Sequence, residues 1–225
     1  MKTYGALPNQ LGNRERDLHY CLNRLHNMKT ALLLSGGMDS LSIAWWMRPE
    51  IAITVDYGQL PATAEKFAAA AVCAHLGIEH HIVEIDCRAL GSGDMAGSAA
   101  SEHAPASDWW PYRNQMLITF AVMKALALGA QKLLIGTVRS DGLHLDGTPG
   151  FVGAISKLVS MQEGGIVVEA PAIGLSTEEL IATGRVPREF LAWAHSCHKA
   201  NVPCGDCRGC NKYFSVLRAI DADLA

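Results

Sequence analysis

Short aliphatic runs alternate along this chain with longer stretches whose apolar residues recur at helical spacing. Lys29 to Leu34 is largely aliphatic and ends in Ser-Gly-Gly, the profile of a buried parallel strand. Asp39 to Met47 is mostly apolar and stops short of Pro49, which predicts a brief helix. Ile51 to Val55 reads as a second strand, leading into Asp56-Tyr57-Gly58. Pro61 opens an alanine-rich helix that Gly77 closes, with proline at the start and glycine past the end as helix termini prefer. His81 to Ile85 predicts a third strand, Asn114 to Leu128 a long helix, Lys132 to Ile135 a fourth strand and Pro149 to Met161 a further helix. Ile166 to Val168 reads as a short strand, and Ser176 with Glu179 three positions on predicts a capped helix through Ala182.

This alternation implies a doubly wound α/β fold, a mainly parallel sheet with helices on both faces. Ligands in such folds lie beyond the carboxyl ends of the strands. Two stretches stand outside the pattern. Residues 1–28 have no clear period and read as an N-terminal arm, with Leu18, Leu22 and Leu25 available to pack on the body. Residues 91–108 are rich in Gly, Ser and Ala and carry Asp94, Glu102 and His103; a lid and a disordered connector are both open readings, the connector favoured for each of those residues.

Composition narrows the class. The chain has 225 residues, 49% of them hydrophobic and 18% charged, which suits one globular α/β unit and argues against disorder. A net charge of −3 offers no electrostatic reason to expect nucleic acid or an anionic membrane as partner. No apolar stretch approaches the ~20 residues of a bilayer span, and the polar start around Asn13 to Asp17 is unlike a signal peptide. The cytoplasm is therefore the expected location, where the seven cysteines read as metal ligands or core residues and not as disulfides.

The densest chemistry lies at Ser35-Gly36-Gly37-Met38-Asp39-Ser40, between an aliphatic strand and a helix. Paired glycines let backbone N–H groups approach an anion, and the helix N-terminus adds positive potential. Ser35 and Ser40 supply hydroxyls, while Asp39 would repel phosphate on its own and so suits a magnesium ion or a loop cap. A plain Gly-Gly turn is the bland alternative; the complete string after a buried strand favours phosphate. No Gly-Lys-Ser/Thr follows, so the loop is not of the Walker A type, and it is not Gly-x-Gly-x-x-Gly. It resembles the pyrophosphate loop of the ATP pyrophosphatases, which cleave ATP between the α and β phosphates and pass AMP to an oxygen.

Cys197, Cys204, Cys207 and Cys210 form the second constellation, spaced so that four thiolates can close a tetrahedral structural zinc site. An iron–sulfur cluster accepts the same ligands, and His195 or His198 is near enough in sequence to replace one of them. Cys73 and Cys87 read as buried core residues, and Cys21 stands alone.

The pyrophosphate loop near one end and the cysteine cluster near the other resemble the 7-cyano-7-deazaguanine synthase family, QueC, from about residue 29 onward. Asp56-Tyr57-Gly58-Gln59 is similar to that family's Asp-Tyr-Gly-Gln, Pro111-Tyr112-Arg113-Asn114 to its Pro-x-Arg-Asn, and Ile135-Gly136 to its Ile-Gly. Ala170-Pro171, with Ser176-Thr177, and Ser196-Cys197 also match. The resemblance implies an ATP-dependent ligase that adenylates the carboxylate of 7-carboxy-7-deazaguanine, admits ammonia to give an amide, and uses a second ATP to reach the nitrile.

It further implies that Ser35 to Ser40, including Met38, hold ATP with Asp56, Tyr57 and Gln59 beside them. Asp39 would serve magnesium. Arg113 would stabilise phosphate or the substrate carboxylate, with Asn114 and Asp146 toward the substrate. A surface arginine at a helix start is the bland reading of Arg113, and a helix-capping aspartate that of Asp146. A homodimer follows from the resemblance alone.

The chain also departs from the family. Where the synthases carry Asp-Cys-Arg-Pro-Glu-Phe, it has Asp146-Gly147-Thr148-Pro149-Gly150-Phe151, and Arg139 to His144 replaces the preceding Asp-Tyr-Ser-Gly-Tyr region. A second reading is therefore a QueC-like ligase that joins its deazapurine carboxylate to a different amine, on a protein for instance, and stops at the amide. A zinc-stabilised nucleotide-binding module without turnover ranks lowest, because the loop's glycines, serines and aspartate are intact. The expected organisation is an arm over 1–28, a nucleotide-binding α/β domain over 29–185 and a helical zinc-binding segment over 186–225.

Overall fold

The computed structural model describes residues 28–223, so the expected N-terminal arm, with Leu18, Cys21, Leu22 and Leu25, lies outside the described residues. Five parallel strands form one sheet in the order β3-β2-β1-β4-β5: β1 (Thr30–Leu33), β2 (Ile51–Asp56), β3 (Glu79–Glu84), β4 (Lys132–Leu134) and β5 (Val167–Glu169). The helices are α1 (Met38–Met47), α2 (Ala62–Leu76), α3 (Arg113–Ala127), α4 (Pro149–Ser160), α5 (Thr177–Gly184) and α6 (Arg208–Asp223). Each element expected from the hydrophobic pattern is present, shifted by a residue or two at its ends.

The period of two along a strand divides the core. Leu32, Ala52 and Leu134 face one apolar cluster with residues of α1, α2, α5 and α6, including Leu41, Val72, Leu180 and Val216. Their neighbours Ala31, Ile51, Ile53 and Leu133 face the other, built on Ile118 and Ala121 of α3 and Ile155 of α4. Strands covered on both sides have no polar face to show, which is why β1 and β2 read as mainly aliphatic runs, with the buried Thr54 bonded to Leu34 O. β1 lies between β2 and β4, so the chain leaves the two sides of β1 in opposite directions. Such a reversal opens a crevice at the strand ends.

Helix ends follow local chemistry. Gly77 closes α2 in the left-handed region, with φ 69°. Ser176 and Glu179 exchange hydrogen bonds across the start of α5: Glu179 N–H donates to Ser176 Oγ at 3.2 Å and Ser176 N–H to Glu179 Oε2 at 2.7 Å. Thr148 caps α4, its hydroxyl oxygen accepting from Phe151 N–H at 3.3 Å.

The 91–108 stretch is a structured connection and not a disordered one. It contains a short 3-10 turn at Asp94–Ala96, with Met95 buried, and Asp94 accepts a hydrogen bond from Ser107 Oγ at 2.8 Å. It ends at Trp110, which is 1% exposed and stacks edge-on to Tyr57 at 4.9 Å. That buried aromatic anchor supplies the apolar area that a Gly- and Ser-rich stretch lacks. Glu102 and His103 stay on its surface, 3.6 Å from each other. Cys73 and Cys87 are buried free thiols, and burial pushes Cys73 up to about 12. Among the described residues no helix is long and apolar enough to cross a membrane.

Leu32 is fully buried at the centre of the sheet. Leu32→Ala is expected to cost about 2–5 kcal/mol, read as a lower urea midpoint with an unchanged denaturant slope.

Candidate active site at the strand switch point

A cavity of about 510 Å³ opens at the carboxyl ends of β1, β2 and β4, walled there by Leu34, Val55 and Ile135. The phosphate loop forms its floor. Gly36 has φ 77°, and a Cβ there would stand 2.6 Å from the Glu65 backbone oxygen, so only glycine fits between the loop and α2. Ser35 Oγ and Ser40 Oγ lie 3.0 Å apart, and Ser40 Oγ donates to Gly37 O at 3.1 Å, which holds the loop open with both hydroxyls at the cavity. Gly136 passes beside the start of α1, where a Cβ would come within 3.0 Å of Ser40.

Asp39 is held from two directions. Thr177 Oγ1 donates to its Oδ1 at 2.7 Å, and Lys212 Nζ donates to its Oδ2 at 2.7 Å. Lys212 also reaches Asp141 Oδ1 at 3.4 Å. Burial raises the Asp39 carboxyl; Lys212 opposes that shift and Asp141 reinforces it. Burial would lower Lys212, but the Asp39 and Asp141 carboxylates outweigh it and hold the ammonium charged.

Arg113 lines the cavity at the start of α3. Tyr112 before it takes the left-handed conformation, φ 53°, a strained turn for a non-glycine residue. Among the described residues the Arg113 guanidinium forms no ion pair; Nη1 contacts Met95 Sδ at 2.8 Å. Burial opposes its charge, and Tyr57, Asp146, Asp108 and Glu65 sustain that charge from beyond ion-pairing distance. A guanidinium left outside any direct ion pair at a cavity wall can take an anionic ligand.

Of the ATP-side residues expected from the sequence, Ser35, Gly37, Met38, Asp39, Ser40 and Tyr57 line the cavity, whereas Gly36 lies packed beneath the loop. Asp56 and Gln59 do not line it. Asp56 pairs with Lys66 and accepts from Gly58 N–H at 3.1 Å, and Gln59 Nε2 donates to Glu65 Oε2 at 2.7 Å. Both shape the turn after β2. Asn114 lines the cavity, but Asp146 does not. Asp146 caps α3 instead: Oδ2 accepts from Asn114 N–H at 3.2 Å, and its backbone oxygen from Asn114 Nδ2 at 3.1 Å.

The opposite wall joins Asp108, His144 and Arg208, which the sequence did not single out for the site, to His198, which it offered as a metal ligand. Asp108 Oδ1 accepts from Arg208 Nη1 at 3.1 Å and lies 3.6 Å from His144 Nε2, while Oδ2 lies 3.5 Å from His198 Nδ1. Burial alone would raise Asp108, but Arg208, with His198 and His144 when protonated, outweighs it and holds the carboxyl well below the usual carboxylate range. Burial drives His198 down to about 4, so its ring is neutral at neutral pH. Arg208 and Lys212 flank Cys210 in sequence, one just inside the cysteine cluster and one just past it, and that pairing is a signal the sequence carried.

The four cysteine Sγ atoms lie within 4.8 Å of one another, and Cys204 and Cys210 are 3.9 Å apart. Backbone N–H groups of His198 and Cys210 donate to Cys207 Sγ at 3.3 and 3.4 Å, as they do to charged thiolates. Neither histidine substitutes for a cysteine: His195 Nε2 bonds Ala200 O at 2.9 Å, and His198 Nδ1 faces Asp108.

With this geometry in view, the likeness to known proteins is specific. The family described as "Queuosine biosynthesis protein QueC" matches residues 29–219. The chain belongs to the QueC family. A 7-cyano-7-deazaguanine synthase of Desulforudis audaxviator is 34% identical over 216 residues, covering 85% of this chain and 97% of the relative. One of Methanospirillum hungatei is 30% identical over 215 residues, covering 86% and 96%. Among solved structures, the U34-tRNA thiolase NcsA of Methanococcus maripaludis, solved with its 4Fe–4S cluster, is similar at TM-score 0.50 and 20% identity, over 95% of this chain and 78% of that one. That likeness concerns the fold.

Glu65 gives the site a pH signature. Burial raises its carboxyl from 4.5 to about 7, against the Gln59 hydrogen bond and the Arg113 charge. The folded state therefore binds this proton more tightly than the unfolded chain. Its stabilisation is complete below pH 4.5 and is lost as pH rises to about 7. Glu65→Gln, which cannot ionise, is expected to gain stability relative to the parent as pH rises through that window, read from urea midpoints at pH 5 and pH 8.

Proposed function

We propose that this chain converts 7-carboxy-7-deazaguanine into 7-cyano-7-deazaguanine at the expense of ATP, with ammonia as nitrogen donor. The observation that carries this reading is the family match across residues 29–219. The cavity agrees with it chemically, since the Ser35 to Ser40 loop shares it with Arg113, an arginine outside any direct ion pair. The substrate carboxylate attacks the α-phosphorus of ATP and pyrophosphate leaves. Ammonia then displaces AMP to give the amide. The amide oxygen takes AMP from a second ATP, and loss of AMP with the remaining N–H proton leaves the nitrile. ATP is required because hydroxide or oxide is a poor leaving group and AMP a good one.

In this reading Ser35, Gly37, Met38 and Ser40 bind phosphate, Gly36 keeps the loop's backbone accessible, and Tyr57 borders the nucleotide. Asp56 and Gln59 act from beneath by shaping the turn. Arg113 holds the substrate carboxylate or the α-phosphate, so Arg113 and Asp39 are the catalytic pair. Asn114 faces the deazapurine, and Asp146 supports it by fixing the start of α3. Asp39 would hold magnesium, which would draw charge from the phosphate oxygens. Catalysis is then mainly positioning and charge stabilisation.

The cysteine cluster fits zinc. Tetrahedral zinc with Zn–S bonds of about 2.3 Å places its sulfurs roughly 3.8 Å apart, close to the 3.9 Å between Cys204 and Cys210. Bound there, zinc would tie the 197–210 segment together, and four thiolates leave it no open position. The protein acts in the cytoplasm under this reading, and its assembly as a homodimer is part of the same proposal.

Two measurements test these assignments. Incubation with ATP, magnesium, 7-carboxy-7-deazaguanine and ammonium is expected to release AMP and yield the nitrile mass; an amide that persists would favour the ligase that stops one step earlier. Metal analysis is expected to find about one zinc per chain. Its removal by a strong chelator is expected to expose the four thiols to a thiol reagent and lower the melting temperature.

A further inference from the structure

The phosphate loop has no cation of its own. Ser35 to Ser40 offer hydroxyls, backbone N–H groups and one carboxylate, so an arriving triphosphate meets a side-chain charge of the wrong sign. The tertiary structure brings a cation from far along the chain. Lys212, 173 residues beyond Asp39, places Nζ 2.7 Å from Asp39 Oδ2 and 3.4 Å from Asp141 Oδ1. It shares the cavity wall with Ser35 and Ser40. Its side chain is 34% exposed, so the ammonium is not sealed into the protein. Helix α6 begins at Arg208, within the cysteine cluster, so Lys212 stands on the first turns of a helix whose start that cluster fixes.

We infer that Lys212 is a catalytic residue, the cation that neutralises the pyrophosphate leaving group, held by Asp39 and Asp141 in the free protein and passed to phosphate when magnesium and ATP enter. This rests on the adenylation reading above. Magnesium is a hard divalent ion with a stronger claim on Asp39 than an ammonium has. Once displaced, Nζ has the phosphate oxygens as its nearest anions, and a lysine stem can make that move by rotamer changes alone. In the step itself, a bond forms between the substrate carboxylate oxygen and the α-phosphorus. The bond from that phosphorus to the αβ-bridging oxygen breaks, its electron pair leaving with pyrophosphate. Lys212 stabilises that charge without gaining or losing a proton.

The competing explanation is that Lys212 merely satisfies a buried Asp39. The experiment titrates full-length, metal-loaded protein with magnesium pyrophosphate in the absence of any deazapurine, and separately measures AMP formation. Lys212→Met and Lys212→Gln are expected to bind pyrophosphate at least about tenfold more weakly. Their kcat for AMP should fall about 100-fold, while Lys212→Arg recovers pyrophosphate binding. A folded neutral variant that binds pyrophosphate as tightly as the parent overturns the inference. If Lys212→Met does not fold, Lys212→Gln, which still offers Asp39 a hydrogen bond, decides the matter by the same titration. Failure of the parent to form AMP from the deazapurine carboxylate would count against the adenylation reading, and the pyrophosphate titration would still decide Lys212.

Discussion

One ion pair ties the loop after β1 to the last described helix. Asp39 stands at the first turn of α1 and Lys212 near the start of α6, and their 2.7 Å contact closes the cavity across the strand switch point. Burying a carboxylate beside an anion-binding loop is costly unless a cation answers it. Lys212 and the Thr177 hydroxyl answer Asp39, and each belongs to a different helix. Asp39 thus adds a polar link between the loop, α5 and α6, whose apolar faces already meet through Leu41, Leu180 and Val216.

That arrangement gives the cysteine cluster a reach beyond its own segment. Arg208 and Lys212 leave the same stretch of chain and enter the cavity at two points, toward Asp108 and toward Asp39. Val216 on the same helix is buried in the core that holds Leu41 of α1 and Leu180 of α5. A tight turn of cysteines is a compact way to start a helix at a fixed angle where too few apolar residues exist to do it.

The opposite side relies on burial. Trp110 under Tyr57 fixes the end of the long connection, and the left-handed turn at Tyr112 follows directly. Arg113 can then begin α3 facing the cavity, while Asp146 answers the helix's free N–H at Asn114. The 146–151 turn keeps Asp146, Pro149 and Phe151 of the family pattern, and here its work is to start helices: Asp146 caps α3 and Thr148 caps α4.

Local chemistry made much of this legible in the sequence. Aliphatic strands, the Gly77 stop, the Ser176–Glu179 cap and the glycines of the phosphate loop act over a few residues, so their patterns survive in one dimension. The cysteine spacing is equally local, and it foretold the convergence of four sulfurs. The sequence found Ser35, Asp39, Ser40, Arg113 and Asn114, which line the cavity, and could not sort the remaining polar residues. Asp56, Gln59 and Asp146 carry the family's motifs yet serve the scaffold, whereas Asp108, His144, Arg208 and Lys212 carry no motif and line the site. Their meeting depends on where loops and helices from distant parts of the chain come to rest. That is decided by packing and by the pairing of buried charges, which only the folded chain brings within a few ångströms.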